Sequence, residues 1–522
     1  MRIKELTKDD SLIIKGLAIL AIVLHNIFRW VDPSTGENEF GFYINCISNF
    51  ANLITSQPKE FINIIFSFLG HYGVQLFILI SGYGLTKSML AKPQCWLAFM
   101  GNRLKKIYPL LILAILGFII ANYFIYNQLP TNKNWYGIGL KLLFVHTLTP
   151  DEGLTLCGPW WFFGLIVQLY ILFPILLNLT QRHGTKILAG TALLSYIWIL
   201  TAIYCYDKPG NSLLAMQNAP GHLPEFCFGI WLALAPRKIN RLWLIPAITV
   251  FCLGNFFEPF YPFTFLAVSV IFVIGYNDIK GFIAKHRILE RPLTFVGSIS
   301  MFLFAVHGFL RQPFIDWANN GSAIFKIIMA LAFLAASIAA ALALRPLYRL
   351  ILKGLDHIKL PVWVLKANKP IMAATLLFLA FVTFHYAASI VQEHNEFEKN
   401  TYTQNLSFKT CGDIYADSLF SDILIADLKR CKLIKLAIDI EIDTEGNDID
   451  SIPLLVTEVT DIYWDNIPLP ETDGFEKCHF EHIIPSSFID RHKNKTFKLY
   501  FWNRNKSSMK FRNAKVELNY QK

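Results

Sequence analysis

Residues 14–28 read IKGLAILAIVLHNIF, an aliphatic run broken only by Lys15 near its start and by His25 and Asn26 near its end. Extended to residues 11–31, the run is long enough to cross a hydrocarbon core of about 30 Å, which takes roughly 20 helical residues. Arg2, Lys4 and Lys8 precede it and no small-residue cleavage site follows, so it reads as a retained first span rather than a cleaved leader. An ionisable side chain inside a span costs about 2.5–3.5 kcal/mol on insertion scales, so Lys15 and His25 both require a reason to be there.

The rest of the chain agrees with a membrane reading. Of 522 residues, 54% are apolar and only 16% charged. Mean hydropathy is +0.41. That balance excludes an ordinary soluble enzyme. The 44 Phe and 12 Trp suit helices that end in aromatic belts at headgroup level. The net charge of +10 does not call for nucleic acid, because membrane proteins collect Lys and Arg in cytoplasmic loops for topological reasons.

Eleven apolar stretches bounded by charge, Pro or Gly are expected to span: 11–31, 72–90, 107–126, 160–178, 187–206, 220–236, 241–256, 260–276, 297–315, 322–344 and 370–391. Runs 61–69 and 139–147 are too short and are expected as interfacial or re-entrant pieces. With the N-terminus inside, 24 of the 31 Lys and Arg before residue 393 fall on cytoplasmic ends, clustering at Lys87–Lys106, Arg237–Arg241, Lys280–Arg291 and Arg345–Lys369. This excess predicts an N-in, C-out protein. The expected organisation is a transmembrane domain over 1–350, a cytoplasmic linker and eleventh helix over 351–392, and an extracytoplasmic all-β domain over 393–522. There, 432–442, 452–464, 497–503 and 514–519 alternate apolar with polar residues, as strands of a β-sandwich or jelly roll do. Cys411, Cys431 and Cys478 allow one disulfide with one thiol left over, and spacing does not choose the pair.

Several polar residues stand out within or beside the spans. His25 has the chemistry of a general base at neutral pH, and equally that of a hydrogen-bonded residue joining two helices. Lys15 lies ten residues, or about 15 Å, toward the cytoplasm; it suits an anionic group and also the ordinary topology signal of a snorkelling lysine. Arg103, Lys105 and Lys106 precede Tyr108 and Pro109, where they suit phosphates or simply mark a cytoplasmic end. Glu225 and His307 are candidates to pair with His25, to line a polar path or to pack structurally. The sequence holds no P-loop, GxGxxG signature, HExxH or paired CxxC, so no metal or bound nucleotide cofactor is implied.

Read in order, the motifs resemble the acyltransferase-3 family of bacterial membrane O-acyltransferases. The opening span resembles the family's first, with a basic residue followed about ten positions later by His. YGVQLFILISGYGLTKS (72–88) is similar to its second span and carries Ser81, Gly82 and Tyr83. NRLKKIYPLL (102–111) resembles its basic pair before Tyr-Pro, with Lys106 where a second Arg is usual. PWWFFGLIVQLYILFP (159–174, with Trp161), LPEFCFGI (223–230) and VGSISMFLFAVHGF (296–309) also follow the family's patterns.

That resemblance covers about residues 8–350. It implies transfer of an acyl group, acetyl in the commonest case, from cytoplasmic acyl-coenzyme A to a hydroxyl of an extracytoplasmic carbohydrate such as O-antigen, capsule, exopolysaccharide or another envelope glycan. It places the protein in the bacterial inner membrane. Carried over by position, His25 becomes the general base, Lys15 its partnering basic residue, and Arg103 with Lys106 the donor-holding pair. Ser81, Tyr83, Trp161, Glu225 and His307 become residues lining substrate or a polar pore. A saccharide flippase, polymerase or transporter would also show many spans, basic loops and an intramembrane His. A membrane anchor for the β-domain would need only one span.

Overall fold

The structure is a computed structural model. It describes residues 2–521 apart from gaps, the longest at 207–212, 362–366, 400–407, 411–414, 425–432, 446–453, 486–495 and 503–508. The chain divides into two compact units, Met1–Thr383 and Phe384–Lys522.

The first unit is helical. A two-residue ribbon pairs β1 (Arg2–Ile3) with β2 (Arg237–Lys238). Helix α1 (Lys8–Phe28) starts at a capping box in which Thr7 and Asp10 satisfy each other's backbone donors. It is followed by α2 (Ile44–Ser56), α3 (Phe61–Leu69), α4 (Gly73–Ala91), α5 (Trp96–Tyr126) and α6 (Asn132–Leu142). Next come α7 (Trp161–His183), α8 (Lys186–Tyr206), the single turn α9 (Leu213–Met216), α10 (Ala219–Leu234), α11 (Leu244–Phe256) and α12 (Thr264–Lys285). The series continues with α13 (Glu290–Ser298), α14 (Ser300–Leu310), α15 (Gln312–Ala318) and α16 (Ala323–Asp356), and a last helix covers Asn368–Asn395.

All eleven stretches expected to span are helical, but they are not equally long. Among the described residues six helices are long and apolar enough to cross a bilayer, or seven if one bent pair counts as a single span. The bent pair is Ile288–Ser298 with Ser300–Leu310, turned by 76°. Shorter than expected of a span are α11 with its leading turn (Arg241–Phe256) and α10, which has only 16 residues. Their boundaries explain this: Pro246 and the EPFYPF turn of 258–263 crowd α11, while Pro224 falls early in α10. The run 61–69 is not an isolated interfacial piece. It continues through a 3₁₀ turn (Gly70–Tyr72) into α4, making one apolar segment over Pro58–Ala91. Arg103 lies inside the 31-residue α5, not ahead of a span that begins at 107.

Helices approach closely where glycine permits it. A Cβ on Gly82 would collide with the Phe226 carbonyl, and one on Gly229 with the backbone of Leu79, so α4 and α10 lie backbone to backbone. Gly297 and Gly16 do the same for α13 against α1.

The second unit carries two antiparallel sheets. The strands are β3 (Glu398–Lys399), β4 (Phe408–Thr410), β5 (Tyr415–Leu424), β6 (Leu433–Asp443), β7 (Leu454–Val459), β8 (Tyr463–Pro468), β9 (Glu476–Pro485), β10 (Thr496–Trp502) and β11 (Met509–Gln521). One sheet runs β5-β10-β7-β8; the other runs β3-β11-β6-β9, with β4 also on β11. Leu436, Ile438, Ile440 and Ile442 are buried in alternation along β6, and Phe501 of one sheet meets Phe511 of the other at 4.6 Å between ring centroids. The stretch 452–464, expected as one strand, splits into β7 and β8, which pair with each other. Cys478 is a free thiol, and Cys411 and Cys431 fall outside the described residues.

Gly229→Ala is expected to lower stability by about 1–3 kcal/mol through overpacking against α4. Gly84→Ala, whose Cβ would enter open space, should leave stability unchanged or raise it by up to about 1 kcal/mol. Thermal unfolding of the two variants in detergent compares them directly.

Candidate active site

The site is built around the last turns of α1. The N-terminal end of that helix is fixed by Asp10, which Lys280 meets at 2.8 Å and the Tyr276 hydroxyl at 2.9 Å. The Tyr83 hydroxyl accepts from the Leu6 backbone N–H at 3.0 Å, so Tyr83 ties down the chain ahead of α1.

His25 is 1% exposed. Its Nδ1 lies 3.0 Å from the carbonyl oxygen of Phe66. A carbonyl can only accept, which assigns the proton to Nδ1 and leaves Nε2 with a lone pair. Nε2 is buried and has no partner among the described residues. Phe66 reaches His25 because Gly70 follows it: a Cβ there would lie 2.6 Å from the His25 Cβ and 2.9 Å from the Ala21 oxygen. His71 then sets its ring edge-on to His25, with centroids 5.6 Å apart.

The loop after α1 brings two carboxylates to the same place. His25, Glu37 and Glu39 present ligating atoms within 4.8 Å of one another. Arg29 forms an ion pair with Glu37 and lies 3.8 Å from Glu39. With this guanidinium bound to the pair and Arg311 near Glu37, the cluster resembles an ion-pair network more than a cation site. Burial pushes Glu39 up to about 8 against the pull of Arg29, and Glu37 is raised for the same reason. Glu39 also lines a cavity of about 230 Å³, together with Asn26, Arg29, Trp30, Trp161 and Arg311. Arg311 donates to the Asn26 side-chain oxygen at 3.2 Å, and the two guanidiniums flank Trp30 at 5.4 and 5.3 Å.

A second polar cluster lies nearer the start of α1. Lys15 and Arg103 are close enough to feel each other's charge. Arg103 is held over the rings of Phe99 and Tyr170 at 5.0 and 5.7 Å, with Ser81 near the Tyr170 hydroxyl. The Arg103 Nε is buried without a partner, and among the described residues neither Lys15 nor Arg103 meets a carboxylate. Two uncompensated cations at one end of a helix bundle are suited to a phosphate-bearing ligand. Lys106 is exposed, and its backbone oxygen accepts from the Tyr348 hydroxyl at 3.1 Å.

The remaining candidates have partners of their own or line the cavity. Glu225 is fully buried and pairs with His222 at 2.8 Å. His307 gives Nδ1 to the Leu303 oxygen of its own helix, leaving Nε2 buried and unpartnered. Trp161 lines the cavity. Glu37, Glu39, His71, His222 and Arg311 were not singled out from sequence. The only local signal was the charged pattern RWVDPSTGENE directly after the first span.

The pattern of the Acyltransferase_3 family, described as an acyltransferase domain, matches residues 12–346. The chain belongs to the acyltransferase-3 family. No curated protein and no solved structure matches it. As an acyltransferase-3 protein it is a multi-pass membrane acyltransferase, and the matched stretch holds His25, both loop glutamates and the Lys15–Arg103 cluster. The β-strands of the second unit lie beyond the match.

Glu39 yields a pH prediction. Its ordinary value is 4.5, so between about 4.5 and 8 the folded protein holds a proton that the unfolded chain has released. The stability this group contributes is greatest at low pH and falls as pH rises through that window. Glu39→Gln is therefore expected to show a smaller drop in melting temperature from about pH 5 to about pH 8 than the parent.

Proposed function

We propose that this acyltransferase moves an acyl group, acetyl in the simplest case, from acyl-coenzyme A on the cytoplasmic side to a hydroxyl of an extracytoplasmic or lipid-linked saccharide. The observation that carries the reading is the unpartnered Nε2 of His25, whose Nδ1 is committed to Phe66.

In this scheme Nε2 removes the proton of the acceptor hydroxyl as its oxygen attacks the thioester carbonyl. The tetrahedral adduct collapses with loss of the coenzyme A thiolate, and the imidazolium returns the proton to sulfur. Glu37 stands near enough to favour the imidazolium while it lasts. Arg103 and Lys15 bind the phosphates of the donor. His25 lies about 15 Å further along α1 than Lys15, a distance for the extended pantetheine arm to bridge. Phosphates at one end and acceptor at the other let the acyl group cross while the charged nucleotide stays behind.

The N-in, C-out arrangement inferred from Lys and Arg placement gives this polarity its direction and puts the β-domain on the acceptor's side. Tyr500 and the aromatic residues Tyr463, Trp464 and Trp502 of that domain are candidates to hold glycan; the side chains of the last three lie outside the described ones.

The test follows label from radiolabelled acetyl-coenzyme A into extractable glycan in inverted membrane vesicles. His25→Ala is expected to slow transfer by at least about 100-fold without loss of inserted protein. Arg103→Ala should chiefly raise the donor KM. Full activity in His25→Ala rules out the general base, and a correctly inserted parent that labels no glycan rules out the reaction.

A further inference from the structure

Trp160 and Trp161 are neighbours in sequence with opposite fates. Trp160 is wholly buried and its indole N–H donates to the Ala305 oxygen at 2.8 Å. Trp161 is only 3% exposed, and its ring lines the cavity beside Glu39. A firmly packed ring that walls an open volume offers a ligand a ready-made flat surface.

The ring is also held unusually firmly. Behind it lies His222, stacked at 5.7 Å and 29°, and behind His222 lies Phe265 at 5.8 Å and 31°. Both nitrogens of His222 are engaged, Nδ1 with Glu225 at 2.8 Å and Nε2 with the Met216 oxygen at 2.6 Å. Phe40 packs against the indole edge-on at 5.2 Å. A His–Glu pair buried in a helix bundle costs desolvation, and a pair of apolar residues would fill the same space. What the pair adds is direction: it fixes the imidazole, and the imidazole fixes the plane of Trp161.

We propose that Trp161, positioned by the His222–Glu225 pair, is the wall of the cavity beside His25 on which a pyranose ring of the acceptor stacks, its indole N–H donating to a ring or hydroxyl oxygen. Flat, rigid indoles bury the C–H face of a sugar at little entropic cost and keep one polar contact for orientation. Asn26, Arg29, Glu39 and Arg311 line the same cavity and offer further donors and acceptors to the remaining hydroxyls. This rests on the saccharide acceptor proposed above. His222 and Glu225 are positioning residues; Trp161 is the contact.

The full chain in nanodiscs is assayed with radiolabelled acetyl-coenzyme A, using as acceptor probe the oligosaccharides released from envelope glycan by mild acid. Acceptor KM and donor KM are read separately. Trp161→Leu is expected to raise the acceptor KM about tenfold with the donor KM unchanged. Trp161→Phe, which keeps a ring but no donor, should fall between. The double change His222→Phe with Glu225→Leu keeps a ring behind the indole without a stranded carboxylate but frees its plane, and is expected to raise the acceptor KM by less than Trp161→Leu does, with the donor KM unchanged; an acceptor KM equal to the parent's in this variant overturns the positioning role. An acceptor KM within about twofold of the parent in Trp161→Leu overturns the stacking wall while leaving acyl transfer standing. So does an equal rise of both KM values in both Trp161 variants. Absence of labelled oligosaccharide from the parent itself removes the saccharide acceptor, and the wall with it.

Discussion

The hydrogen bond from His25 to the Phe66 carbonyl oxygen depends on a backbone approach that only glycine allows. Gly70 seats the turn after α3 directly on α1, and Gly73 repeats the contact one turn later against Ala18. With that approach in place, the Phe66 oxygen lies 3.0 Å from Nδ1, and the imidazole is fixed in tautomer as well as orientation. His71 comes to the imidazole on the same turn. In a bilayer such a bond carries more weight than at a surface, since no water competes for the Nδ1 proton.

Charge is arranged along α1 in the same economical way. Near its start, Lys15 and Arg103 stand together with no carboxylate on either among the described residues, and Arg103 is braced by aromatic rings. Near its end, Arg29 and Arg311 come with two carboxylates. Basic groups without acids suit a ligand that brings its own negative charge; basic groups interleaved with acids and an amide suit one that brings hydroxyls. One helix thus presents two different chemistries about 15 Å apart, where the ionisable residues of its apolar run 14–28 are only a lysine and a histidine.

The helices were legible because apolar runs declare themselves, and every expected stretch is helical. Their lengths were less legible, since a run such as 297–315 gives no warning that the chain turns by 76° after Ser298. His25 and Arg103 could be found as polar residues among apolar ones. The loop glutamates could not: Glu37 and Glu39 sit in a polar segment where acids are unremarkable, and only the return of the chain brings them to His25. His222 was hidden for a related reason, because Glu225 drew attention as the charged member of a pair whose other half lay three residues earlier. In the second unit the alternation along β6 could be read directly, whereas β5 and β9 lack a comparable apolar rhythm.

Helix α16 has 34 residues and only about a fifth of its apolar window is covered by protein. At 1.5 Å per residue it is about 51 Å long, against a hydrocarbon core of about 30 Å. Such a helix must lean or carry one end out among the headgroups, and Arg345, Arg349 and Lys353 set where its basic end comes to rest. The side it does not give to lipid lies against α14, the helix of His307, and against α5, the helix of Arg103. Bilayer thickness therefore sets how far α16 leans: a thicker membrane stands it more upright against α14 and α5.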